Sequence, residues 1–153
     1  MAILVPDQYG KAMCFAEGTR AYVVFTDFSR IKWLKWLRRG YRHCFVVLSA
    51  GGMGLIYDPM ANCTVLTGLM QMDWDAIGGR YREMGYSVVE TRIQSPGPAV
   101  SYIRPFTCVE AVKRVLGIHA PWVLTPWQLY QYFVRPCGPR EEKNLDLNLL
   151  KGI

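Results

Sequence analysis

Cys108 occupies a setting in which a thiol becomes a nucleophile. In Phe106-Thr107-Cys108-Val109-Glu110-Ala111-Val112-Lys113-Arg114-Val115-Leu116-Gly117, Thr107 and Glu110 have the spacing of a capping box and Gly117 is a helix stop. The predicted helix therefore begins at Cys108. Unpaired amides and the positive end of the helix dipole favour a thiolate there, drawing its pKa below the roughly 8.5 of a free thiol. Val109, Val112 and Leu116 form the predicted core face, with Lys113 and Arg114 opposite. A buried cysteine acting as a small hydrophobe would fit the same pattern, so the chemistry turns on a partner.

A thiolate nucleophile works with a base in hydrogen-bond reach, commonly a histidine oriented by a third polar group. The chain has two histidines. His119 follows the cysteine helix, a helix length from its start, and is the poorer geometric match. His43 lies at the mouth of Tyr41-Arg42-His43-Cys44-Phe45-Val46-Val47-Leu48-Ser49, which is apolar on both faces and reads as a central strand. Pairing that strand with the next one about the Gly51-Gly52-Met53-Gly54 turn sets Asn62 opposite His43, with Asp58 on the same side further up the strand. A bulge at Pro59 would shift the register, so both stand as the third member. Asn62 would orient the imidazole without adding charge. Asp58 would also stabilise the imidazolium, and Asp58-Pro59 equally suits a plain turn.

The elements that must position these groups follow in order. Ala21–Phe25 reads as a first strand, and Ser29 caps a helix from Arg30 to Arg39 that Gly40 closes. On that helix Trp33, Leu34, Trp36 and Leu37 share a core face. Leu55–Asp58 and Thr64–Thr67 are further strand segments, and Asp73 or Asp75 opens a helix reaching Met84 before Gly85, weakened by Gly78-Gly79. Tyr86–Ile93 alternates as a strand. Thr125-Pro126 starts a last helix to about Val134, with Leu129, Tyr130 and Phe133 facing the core. Gln8–Phe15 suits an irregular arm or a short helix. The fold class is α+β, an antiparallel sheet packed against helices. A single domain spans residues 1–134, with 135–153 as a tail or docking arm.

Composition narrows the classes. With 153 residues, half of them hydrophobic, the chain is long enough for one real core. Five cysteines, an odd number with no close-spaced pair, argue against a disulfide framework or a zinc site of usual spacing. No metal or cofactor is called for. The first residues lack a basic segment followed by an apolar run, and no stretch approaches membrane-spanning length. A reducing cytoplasm, or a particle assembled there, is the expected setting. The net charge of +6 resides in Arg30, Lys32, Lys35, Arg38, Arg39 and Arg42; the other 12 Lys and Arg balance the 12 Asp and Glu. Those six make a solvated face, a contact for nucleic acid or another polyanion, or a membrane-surface face.

A histidine opening a central strand (Arg42-His43-Cys44-Phe45-Val46-Val47), a polar residue on the next strand, then a cysteine opening a helix resembles the circularly permuted papain-like fold. That group includes relatives of NlpC-type cell-wall peptidases and of lecithin–retinol acyltransferase. Gly40–Phe45, Cys108–Gly117 and Thr125-Pro126-Trp127-Gln128-Leu129-Tyr130 also resemble small phage-encoded proteins. The resemblance, over roughly residues 20–134, implies a thiol hydrolase or acyltransferase acting on an amide or ester. Cys108 would attack the carbonyl, His43 would take and return the proton, and the amide of Cys108 would help bind the oxyanion. The expected substrate is an amide of peptidoglycan or a related peptide, with Tyr41 and Trp122 as candidate pocket residues. Two alternatives stand beside it: a non-enzymatic phage virion or assembly component that keeps the fold and contacts other structural proteins, and a nucleic-acid-binding module using Arg30–Arg42.

Overall fold

The computed structural model describes residues 17–28, 32–50, 52–70, 73–95 and 105–135. Its described elements are strands β1 (Arg20–Thr26), β2 (His43–Ala50), β3 (Met53–Pro59), β4 (Thr64–Leu69) and β5 (Ser87–Arg92), with helices α1 (Trp74–Glu83), α2 (Cys108–Leu116) and α3 (Pro126–Val134). The strands form one sheet in the order β4-β3-β2-β1-β5, and every neighbouring pair is antiparallel. The class is α+β, and β2 lies at the centre. The expected arm at Gln8–Phe15 and the tail beyond Arg135 lie outside the described residues.

Continuous apolar runs in β1 and β2 have a simple cause: helices cover both faces of the sheet. On one face Val23, Phe25, Cys44, Val46 and Leu48 pack with Val109, Val112 and Leu116 of α2 and Leu129 of α3. On the other, Tyr22, Val24, Phe45 and Val47 meet Trp74, Ile77 and Tyr81 of α1. Gly78 belongs to that second contact. A Cβ there would lie 2.8 Å from the Tyr22 ring, so a residue that weakens the helix locally is what lets it seat on the sheet.

Three local expectations are corrected. The basic segment is a short 3₁₀ turn at Lys32–Trp36, not a helix from Arg30 to Arg39, and Arg30 lies outside the described residues. Trp36 is 94% exposed, so it does not share a core face. Arg38 and Arg42 are engaged within the molecule: the Arg38 guanidinium sits 3.5 Å from the Trp127 ring centroid, and Arg42 donates to Asp27 at 3.1 Å. Lys113 is the third correction. It is 2% exposed, and its Nζ donates to the carbonyls of Ala120 (3.0 Å) and Val123 (2.9 Å) and pairs with Glu110 Oε2 at 3.0 Å. Three donors meet three acceptors, which is how an ammonium tolerates burial.

Candidate active site

The start of α2 is set by Thr107, whose extended backbone ends the preceding segment and whose Oγ1 accepts from the amide of Glu110 at 3.2 Å. Cys108 is the first residue of the helix. The other half of the expected cap is redirected: the carboxylate of Glu110 pairs with Lys113 and with Arg114 Nε at 3.3 Å. At the far end Gly117 adopts φ 71°, and its amide closes on Arg114 and Lys113.

His43 begins β2 and faces Thr26 of β1 across the ladder. The ladder between β2 and β3 runs from Ala50↔Met53 to Val46↔Tyr57, while β3 stays paired with β4 out to Pro59↔Thr64. The start of β2 thus lies past the end of its ladder with β3. There His43 Nε2 and Asp58 Oδ1 approach to 2.6 Å. Both side chains are largely enclosed, 12% and 24% exposed. The same ring also hydrogen-bonds Cys108.

Cys44, the residue after His43, is fully buried and completes the group. Its thiol and its backbone amide both hydrogen-bond to Cys108. This residue is absent from the expectations, because within an apolar strand it reads as ordinary core; its adjacency to His43 was the available signal.

The electrostatics follow from these contacts. The Cys44 thiol, donating to the Cys108 sulfur, does most to favour the thiolate; burial opposes it, and the His43 hydrogen bond and charge add support, bringing Cys108 down to about 5. For His43, burial disfavours the charged ring, but the bond to Asp58 and then the bond and charge of Cys108 outweigh it, raising His43 to about 9. Burial pushes the Cys44 thiol well up, so it remains a donor. Near neutral pH Cys108 and His43 are therefore a thiolate–imidazolium pair.

Of the residues expected at the site, Cys108, His43 and Asp58 come together. Asn62 does not. It lies exposed in the turn between β3 and β4, because the β2–β3 hairpin closes tightly at Ala50↔Met53 and puts Val46 opposite Tyr57, two residues away from the register that would bring Asn62 to His43. His119 is exposed beyond α2. Tyr41 is half-buried: its ring packs among Phe25, Trp127 and Tyr130, and its hydroxyl shares a hydrogen bond with Ser87 Oγ at 2.9 Å. Trp122 is exposed, as are Phe106 and Leu124. No group of three or more potential metal ligands occurs among the described residues. No family model matches the chain, and neither does any curated protein or solved structure.

Proposed function

We propose that this chain is a thiol-dependent hydrolase, an amidase or peptidase, with a circularly permuted papain-like arrangement of its catalytic groups. The observation that carries the reading is the contiguous set Cys108, His43 and Asp58, contributed by a helix start, a central strand and the next strand. A merely structural cysteine has no need of a buried imidazole held by a carboxylate.

In the proposed reaction the Cys108 thiolate attacks the carbonyl carbon of the scissile amide. The developing oxyanion lies near the start of α2, where the amide of Cys108 has no acceptor within its helix and the helix dipole is positive. The His43 imidazolium gives its proton to the departing amine, leaving an acyl-thioester and a neutral ring. That ring then takes a proton from water, which attacks the thioester; the thiolate departs and the imidazolium is restored. Asp58 fixes the ring through Nε2 and stabilises its charge at each stage. The substrate we propose is a peptide amide, of peptidoglycan or a related peptide, cleaved in the cytoplasm or by a phage particle carrying the protein.

The test is release of new amino groups from muropeptides and from a stem-peptide amide. Wild-type turnover abolished by Cys108→Ala and by His43→Ala is the expected result. Turnover that survives either substitution would overturn the assignment. For the basic segment, nucleic-acid binding is the weaker reading, because Arg38 and Arg42 are spent on Trp127 and Asp27.

A further inference from the structure

We infer that Cys44 and Cys108 form a reversible redox pair, in which a hydroperoxide oxidises Cys108 and Cys44 then closes a disulfide onto it. The inference rests on the reading of Cys108 as a reactive thiolate. It goes beyond hydrolysis because it assigns chemistry to a second cysteine for which amide cleavage has no need.

The arrangement carries it. Cys44 belongs to the core under α2, and Cys108 packs against that core with the Cys44 thiol hydrogen-bonded to its sulfur. Both are free thiols. Val46 and Leu48, which share the Cys44 face of β2, show that aliphatic residues satisfy this surface. Exposure also orders the steps. Cys108 is partly exposed and Cys44 is fully buried, so an oxidant from solvent meets Cys108 first.

The first step is attack of the Cys108 thiolate on the outer oxygen of ROOH. An S–O bond forms, the O–O bond breaks, and the His43 imidazolium protonates the departing RO⁻ to give ROH. Cys108 is left as a sulfenic acid and His43 as a neutral ring. In the second step the Cys44 sulfur attacks the Cys108 sulfur. The S–S bond forms, the S–O bond breaks, and the Cys44 proton leaves with the hydroxyl as water. Cys44 is oxidised and the sulfenic sulfur is reduced. The competing fate, further oxidation to the sulfinic acid, is irreversible, so a neighbouring resolving thiol protects the nucleophile. A dithiol reductant restores both thiols.

The experiment treats the reduced full-length protein with hydrogen peroxide, with and without dimedone, and maps cysteine-containing peptides by mass spectrometry under non-reducing conditions. The expected product is a Cys44–Cys108 linked peptide, with dithiothreitol restoring alkylation of Cys108. In Cys44→Ala the linked peptide is lost, dimedone labels Cys108, and prolonged exposure gives a sulfinic acid that dithiothreitol does not reverse. Wild-type Cys108 that proceeds to sulfinic acid unlinked, or links to Cys14, Cys63 or Cys137, overturns the redox pair while leaving the nucleophile intact. Cys108 that reacts no faster than the exposed Cys63 overturns both readings. Mapping of the wild type decides the matter without relying on the folding of the variant.

Discussion

Of the two candidates for the third member, Asp58 holds the His43 ring and Asn62 lies away from it in the exposed turn between β3 and β4. Asp58 bonds His43 Nε2 at 2.6 Å, so Asp58→Asn keeps the side-chain shape and removes the charge that sustains the imidazolium. We expect turnover to fall by about 10- to 100-fold. The alkaline limb of the pH profile, set by loss of the His43 proton at about 9, should move to lower pH, since removing an anion lowers the pKa of a neighbouring cation. Asn62→Ala, in the exposed turn, should leave both rate and profile unchanged. Steady-state kinetics across pH checks the pair of variants, and a deficit in Asn62→Ala with none in Asp58→Asn would reverse the assignment.

At the scale of elements, α2 is held through its C-terminal half by contacts remote from the thiol. Gly117 has a left-handed φ of 71°, and a side chain there would run into the backbone carbonyl of Gln94, whose own amide bonds Leu116 O at 2.9 Å. Gly117→Ala combines left-handed strain with that collision and should cost at least about 2 kcal/mol, read from urea denaturation. Lys113→Met leaves Glu110 and two enclosed carbonyls without the ammonium and should cost about 3 kcal/mol. The caps of this helix and its interior were legible very differently. Thr107, Cys108 and Gly117 were plain in the sequence because caps are local: a hydroxyl three residues from an amide, and a glycine where φ turns positive. Lys113 was misread because its acceptors, Ala120 and Val123, belong to a loop whose return no helical wheel contains. The choice between Asp58 and Asn62 was hidden for a related reason: it depends on the register of a hairpin that closes at Ala50↔Met53. Trp36 and Gly78 show the same limit, one apolar residue exposed and one poor helix former required by the Tyr22 ring it meets.

For the whole molecule, the ion pair links folding to pH. A histidine raised from 6.5 to about 9 contributes stability that is full below 6.5 and lost as pH rises through 9. A thiol lowered from 9.0 to about 5 contributes stability that is full above 9 and lost as pH falls through 5. Between 6.5 and 9 folding only moves one proton from sulfur to ring, so these two groups give a flat stability curve there. From 6.5 down to 5 the unfolded chain takes up a proton that the folded one does not, and about 2 kcal/mol should be lost. Thermal unfolding of the wild type against the Cys108→Ala, His43→Ala double variant isolates this limb; equal acid sensitivity in both would show that the pair contributes nothing to it. The central claim, that Cys108 and His43 act as one chemical unit, is tested most directly by the rate of Cys108 alkylation as a function of pH in the wild type and in His43→Ala. A thiolate appearing near pH 5, displaced to higher pH when His43 is removed, is the predicted result. An ordinary thiol titration that ignores His43 would contradict the account and leave Cys108 a structural residue at the head of its helix.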